Sequence, residues 1–503
     1  MSVLDRFSEI SSKIYMDGKF YKSQSTESID VIDPATENKI GEIPETSQSE
    51  IDEVVSIANK AQKAWNQKSP LDRSHVLHEV ANKMGEMAPL FAEALTREMG
   101  KPYKESMDEV HWSIHNIRFY AEMGRGETGK VIGSAVEGQF HYTLKQPLGT
   151  CVLILPFNYP MVLLAWEASA ALAAGNAVII KPSQYTSLTT LLFAEAFKAL
   201  PDGLFQVVTG EAAAGKSLVE HKDTHMVAFT GSVPVGVSIA SKCGELMKRS
   251  LIENSGNDPF IVMPSAPMDI TARAAAFSAY MNCGQICVSA ERFFVHEKIH
   301  DEFVEKLIEE TKKIRVGNGL DKVDMGPIVS SKERDRYENV LHKALDEGAK
   351  AVEGGGRLSQ FNKGWFVAPT VLVDCNDEMS IFNNESFGPV APICKVSSFE
   401  EAMEKANNSR YGLGANIYTK DLSEGIRASE QFQAGMVWVN APLLDNDAGP
   451  FGGTKLSGMG RQLGAEGLET FRDTKTVMID PDCQPQDFWW FPYSDEELSL
   501  IHI

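Results

Sequence analysis

At 503 residues the chain exceeds what one hydrophobic core usually supports and predicts about three domains, while 43% hydrophobic and 23% charged residues exclude wholesale disorder and a miniature disulfide scaffold. Lys plus Arg number 48 and Asp plus Glu 69, a net charge of −21 whose field repels phosphate backbones and anionic lipid, so neither nucleic acid nor a membrane surface is expected as a partner. The chain has no apolar run of about 18 residues and no secretory pattern at its start, and its seven cysteines are scattered, so a cytoplasmic protein with reduced thiols is expected.

Along the chain, Ser47 and Glu50 form a capping box that opens a helix carrying Ile51, Val55, Ala58 and Trp65 on one face. Between residues 149 and 253 short β-branched runs alternate with helical patterns. Strands are predicted at 150–155, 176–180, 204–208, 225–229 and 249–253, with helices at 160–173, 186–199, 212–220 and 234–247. That alternation is the signature of a doubly wound parallel α/β sheet, in which ligands sit beyond the carboxyl ends of the strands. The residues there are Asn158, Lys181, Gly210, Gly231 and Glu253, which point to one crevice. A second α/β region follows, with helices at 271–281 and 298–314 and strands at 292–296, 366–373, 390–396 and 436–440. Ser398 to Glu401 reads as a capping box for a helix ending near Asn408. No internal repeat or long linker separates the regions, so extensive shared interfaces are expected.

Two motifs compete for the chemistry. Gly210-Glu-Ala-Ala-Ala-Gly215-Lys216-Ser217 follows a predicted strand and fits the phosphate-binding pattern GxxxxGK[ST], with Asp374 as a magnesium-binding partner, which would make the protein a nucleotide hydrolase. Against it, the helix after Lys216 is too short to aim a strong dipole at a phosphate. The other motif is Asn282-Cys-Gly-Gln285-Ile-Cys287, where glycine and glutamine make a tight polar turn that exposes the Cys287 sulfur. Cys283 and Cys287 lack the further ligands that zinc requires, and no metal is expected.

The chain closely resembles the NAD(P)-dependent aldehyde dehydrogenase superfamily from about residue 15 to 480. The resemblance lies in Pro156-Phe157-Asn158-Tyr159-Pro160, Lys181-Pro182-Ser183, Phe229-Thr230-Gly231-Ser232, Glu253, Gly284-Gln285-Ile286-Cys287, Glu385-Ser386-Phe387-Gly388-Pro389-Val390, and Pro450-Phe451-Gly452-Gly453 through Ser457-Gly458. It implies a Rossmann-type cofactor domain (1–128 and 148–255), an α/β catalytic domain (256–456), and a small β oligomerisation element (129–147 and 457–503). The implied reaction is NAD- or NADP-dependent oxidation of an aldehyde to the acid. In it Cys287 is the nucleophile, Asn158 the oxyanion donor and Glu253 the base that activates the hydrolytic water. The presence of Glu253 sets the chain apart from the CoA-acylating branch, and a non-catalytic, crystallin-like use of the fold would tolerate loss of these residues.

Lys181, Ser183, Gln184, Gly210, Gly231, Ser232, Glu385 and Phe387 are the implied cofactor contacts. Gln184 stands where many NAD-preferring relatives carry Glu, which removes repulsion toward a 2′-phosphate and admits NADP. Tyr159, Leu163, Trp166, Met281, Ile286, Val288 and Phe451 are the implied walls of the aldehyde tunnel, with Asp445 in the neighbouring loop. This apolar, acidic lining favours neutral or amino- and ammonio-aldehydes over anionic ones. Residues 129–145, with Val131, Phe140 and Tyr142 alternating, resemble the family's oligomerisation hairpin, completed by a strand at 474–480, and imply a homodimer or homotetramer. The aromatic run Phe488-Trp489-Trp490-Phe491-Pro492-Tyr493 is expected to pack against a neighbouring subunit or its own.

Overall fold

A computed structural model describes residues 2–126, 128–486 and 490–492. Its α/β architecture rests on two large, mostly parallel sheets. The first runs in the order Gly458–Met459, Arg249–Glu253, Met226–Thr230, Thr150–Ile154, Ala177–Lys181, Phe205–Val207, Lys13–Met16, Lys19–Lys22. Its five central strands are parallel, flanked by antiparallel Gly458–Met459 on one side and by Lys13–Met16, itself paired with the edge strand Lys19–Lys22, on the other. From Thr150–Ile154 the chain winds outward through Ala177–Lys181 to Phe205–Val207, then crosses back to Met226–Thr230 on the other side. That reversal opens a crevice between the ends of Thr150–Ile154 and Met226–Thr230, where doubly wound sheets bind ligands.

The second sheet runs Lys350–Glu353, Thr370–Cys375, Val390–Val396, Ala290–His296, Asp258–Val262, Gly414–Tyr418, Met436–Val439, all parallel except the first. Each sheet has its own apolar core, but Ile286, Val288, Leu413, Trp438 and Phe451 pack into the core of the first. The cysteine loop is thereby fixed between the two. A smaller antiparallel sheet pairs Arg472–Ile479 with Phe140–Pro147 and the latter with Val131–Ile132.

The Ser47–Glu50 capping box opens the helix Gln48–Asn66, which buries Ile51, Val55, Ala58 and Trp65 as expected. At Ser398 half of the expected box forms: its Oγ accepts from Glu401 N at 3.1 Å, whereas Glu401 Oε2 accepts from Ser397 N at 2.7 Å. Other expectations are corrected. The single helix at 186–199 is Gln184–Thr186, Ser187–Phe193 and Ala196–Ala199, short pieces of two helix types. Ser187 Oγ and Thr190 Oγ1 donate to carbonyls one turn back, which competes with a regular helix. The strand at 366–373 begins later, as Thr370–Cys375, because Val367 makes only an isolated bridge to Arg357.

Two strands were hidden by composition. In Asp258–Val262 the proline reads as a strand breaker, yet the ladder shifts register there and accommodates Pro259. Gly414–Tyr418 opens Gly-Ala-Asn like a loop, although a Cβ at Gly414 would stand 2.2 Å from Asp258 Oδ2. No helix among the described residues is long and apolar enough to cross a membrane. Phe488, Trp489 and Tyr493 of the aromatic run lie outside the described residues, while Trp490 and Phe491 are 50% and 81% exposed.

Candidate active site

The helix Met268–Tyr280 ends in a turn whose residues Asn282, Cys283 and Gly284 all have positive φ (50°, 58° and 70°). Two non-glycine residues in that region store strain that the surroundings must hold in place. They do so with amide bonds: Gln285 Nε2 donates to Asn282 O at 3.0 Å and Gln285 Oε1 accepts from Val329 N at 3.0 Å. A Cβ on Gly284 would lie 2.3 Å from Gly388 O, and one on Gly256 would lie 2.0 Å from Cys287 O. The turn is thus gripped on both sides. It leaves Cys287 partly exposed while Cys151, Cys243, Cys283, Cys375 and Cys394 are buried.

Cys287 faces a cavity of about 280 Å³ lined by Pro156, Phe157, Asn158, Thr230, Gly231, Ser232, Asn254, Ser255, Glu333, Arg336, Glu385 and Phe387. Asn158 is the first polar side chain beyond Thr150–Ile154, and its side-chain amide makes no hydrogen bond among the described residues. Its backbone is tied down: Asn158 O accepts from Lys101 Nζ at 2.6 Å and from Asn282 Nδ2 at 3.2 Å. Lys101 is buried, bonded at 2.6 Å to Glu109, whose other oxygen accepts from Met161 N at 2.8 Å at the head of the helix Pro160–Ala174. One carboxylate thus braces the lysine and caps the helix following Asn158. The Cys287 N–H likewise donates to nothing among the described residues, so the two residues that share the cavity lining each keep a free donor.

Glu253 ends its strand with both carboxyl oxygens buried and unpartnered among the described residues, and a Cβ at Gly452 would stand 3.1 Å from Oε2. Burial pushes its pKa well above the ordinary carboxylate value, aided by Glu167 and opposed by Arg461. Burial likewise raises the Cys287 thiol, with Glu253, Asp258, Glu385 and Asp445 adding to it. Each shift favours the protonated form of its group, and Glu253, which does not line the cavity itself, lies near enough to Cys287 to add to the shift of the thiol.

Of the remaining predicted cofactor residues, Gly231, Ser232, Glu385 and Phe387 line the same cavity as Cys287. Ser232 caps the helix Val233–Glu245 without a side-chain bond of its own, so its hydroxyl and the helix N-terminus stay open to an anion. At Gly231 a Cβ would strike the Phe229 ring at 2.6 Å. Glu385 Oε1 accepts from Gly256 N at 3.1 Å; burial and the charge of Glu291 push its pKa to about 8. Phe387 has φ +46° and meets the edge of Phe157, centroids 5.8 Å apart. Glu291 accepts from Ser386 N at 2.8 Å and Phe387 N at 2.7 Å, fixing that loop. Lys181, Ser183, Gln184 and Gly210 stand outside the cavity, at the ends of the next strands; Ser183 Oγ accepts from Tyr185 N at 3.3 Å in the turn that Gln184 opens. The Lys181 Nζ makes no bond among the described residues, although the side chain is buried. An unbonded ammonium on an otherwise buried lysine, an open helix N-terminus and glycine-lined clearances fit a dinucleotide.

The phosphate-loop reading does not survive. The Glu211 and Ala214 N–H groups, which would cradle a phosphate, donate instead to the Glu45 carboxylate at 2.6 and 2.9 Å, and Lys216 is exposed on a nine-residue helix, Ala212–Glu220. Asp374 pairs with Lys350 at 2.8 Å.

The sequence profile described as the Aldehyde dehydrogenase family matches residues 20–477. The chain belongs to the aldehyde dehydrogenase family. A betaine aldehyde dehydrogenase of Brucella canis is 36% identical over 472 residues, covering 93% of this chain and 96% of that one. Among solved structures, a betaine aldehyde dehydrogenase from Staphylococcus aureus in complex with NAD+ superposes with a TM-score of 0.94 at 29% identity, covering 97% of this chain and 98% of that one. Lactaldehyde dehydrogenase from Escherichia coli gives 0.91 at 32%, covering 93% and 99%. This protein is accordingly an NAD(P)-dependent enzyme that oxidises aldehydes.

The side chains expected to meet the aldehyde do not line the cavity at Cys287; they belong to the apolar core of the first sheet. Leu163, Trp166, Ile286, Val288 and Phe451 are buried in the first core, and Tyr159 and Met281 pack half-buried against it. Trp166 stands 5.0 Å from Phe451 and 5.5 Å from Trp112, ring centre to ring centre. Burial and Asp447 push the Asp445 pKa to about 7. Trp112, Lys101, Glu109, Asn282, Glu291 and Glu45 were not singled out as site residues in the sequence. Trp112, Lys101, Glu109 and Glu45 reach the site from distant segments, so no local spacing announces them, whereas Asn282 and Glu291 stand close to Cys287 in the chain and only their partners are remote.

Proposed function

We propose that the dehydrogenase works by covalent catalysis on Cys287. The observation that carries this reading is the partly exposed Cys287 sulfur, held by a strained turn in one cavity with the free amide of Asn158 and the Glu385–Phe387 loop. The thiolate attacks the aldehyde carbon, and the oxyanion so formed accepts hydrogen bonds from Asn158 Nδ2 and the Cys287 N–H. A bound NAD(P) supplies the hydride acceptor for the former carbonyl carbon. Lys181, Ser183, Gln184, Gly210, Gly231, Ser232, Glu385 and Phe387 would hold that dinucleotide. The acyl group remains on Cys287 as a thioester; Glu253 takes a proton from water, the water oxygen bonds the acyl carbon, and the acid leaves as the thiolate is regained. Replacement Cys287→Ala is expected to abolish aldehyde-dependent cofactor reduction while dinucleotide binding persists, and full turnover in that variant would overturn the reading.

For the substrate we propose an aldehyde carrying an ammonium group. Support comes from the wall of Tyr159, Trp166, Met281 and Phe451 with Asp445 beside it, and from relatives named betaine aldehyde dehydrogenases. Aromatic faces and a carboxylate attract a desolvated cation. One face of Tyr159 is already taken by Lys101 Nζ, 3.8 Å from the ring centre, which leaves the other rings the larger share. The discriminating assay compares betaine aldehyde with its uncharged isostere 3,3-dimethylbutanal. A kcat/KM at least about tenfold higher for the cation is expected, and equal values would discard the proposal. All seven cysteines are free, which supports a reducing, cytoplasmic setting. The apolar small sheet supports a homodimer or homotetramer.

A further inference from the structure

The end of the crevice where Lys181 and Gly210 stand holds a carboxylate from a remote segment. Glu45 follows the strand Lys39–Pro44, and its neighbours clamp it to the end of Phe205–Val207: Thr46 Oγ1 donates to Thr209 O, and Thr209 Oγ1 to Pro44 O, each at 2.8 Å. The clamp delivers the carboxylate to the turn after that strand, where Oε2 accepts from Glu211 N at 2.6 Å and Oε1 from Ala214 N at 2.9 Å. Gly210 lies against it, since a Cβ there would be 2.8 Å from Oε1 and from Oε2. Lys181 ends the adjacent strand, one residue past the Ile180 that pairs with Val207. Burial lowers its pKa to about 8, while the charges of Glu45 and Glu211 act in the opposite direction.

We propose that Glu45 sets a preference for NAD over NADP, its carboxylate repelling a 2′-phosphate and leaving Lys181 to the uncharged ribose. The inference rests on assigning Lys181 and Gly210 to the dinucleotide site. Gln184 supplies no negative charge there; Glu45 supplies it from another part of the chain and is held rigidly by two backbone N–H groups, so it does not swing away from an incoming phosphate.

The test is calorimetric titration of the enzyme with NAD and NADP, without aldehyde, beside Glu45→Gln, which keeps one of the two acceptor oxygens in place, and Glu45→Ser, which removes the carboxylate and leaves both N–H groups to water. Wild type is expected to bind NAD on the order of tenfold or more tighter than NADP, and a folded variant to gain about tenfold in NADP affinity with NAD changed less than about threefold. An unchanged NADP-to-NAD ratio in a variant with the wild-type circular dichroism spectrum would overturn the proposal. So would a wild type that binds the two equally, whether or not either variant folds. Lys181→Ala tests the site assignment separately: weakened binding of both dinucleotides upholds it, and unchanged binding of both removes it and the inference with it.

Discussion

Cys287 and Glu253 are acids whose conjugate bases do the proposed chemistry, and both are shifted upward, by burial first and by neighbouring carboxyls second. A raised pKa keeps each protonated to higher pH, so kcat/KM is expected to climb with pH through neutrality and plateau only on the alkaline side. A flat or falling profile over that range, with a substrate that does not titrate, would contradict the resting state described. In the proposed mechanism Asn158 acts through one amide, so Asn158→Ala is expected to lower kcat by on the order of a hundredfold or more with little change in KM; a loss confined to KM would make it a binding residue. The three residues were legible because each sits in a compact motif or at a strand end. Lys101 and Glu109, which brace Asn158 from behind, belong to a segment whose only local cues are a glycine-proline turn and a helix, and their partners lie dozens of residues away.

At the scale of elements, the parallel strands around the crevice were readable because their β-branched runs are buried on both faces. Elements that failed to announce themselves took their identity from tertiary contacts. Asp258–Val262 is a strand despite Pro259 because it lies between Ala290–His296 and Gly414–Tyr418. Ser331–Asp346 hides its helix behind charged residues, burying only Tyr337, Leu341 and Ala344. The approach of Gly256 to the Cys287 carbonyl shows how such elements aim the chemistry. In Gly256→Ala the added methyl group must push the cysteine loop aside, and a kcat loss on the order of a hundredfold is expected with the fold retained. Normal turnover in that variant would show that the loop tolerates displacement.

At the scale of the molecule, two sheets with separate cores meet across the cysteine loop, and a third, smaller sheet is tied to the first by the pair Arg249–Asp473. Its strands leave Val131 and Met478 73% and 69% exposed, with Phe140, Leu144 and Ile479 also uncovered. Such an apolar edge is an aggregation hazard unless another chain covers it. Light scattering is expected to give a dimer or tetramer that Val131→Asp combined with Met478→Asp shifts toward monomer, and a monomeric wild type would contradict the assembly proposal. Covalent catalysis at Cys287 is the central proposal. Intact-mass spectrometry of Glu253→Gln mixed with aldehyde and NAD is expected to show the enzyme heavier by one acyl group. That increment should be absent from Glu253→Gln combined with Cys287→Ala, and its absence from Glu253→Gln itself while reduced cofactor still accumulates would contradict the thioester.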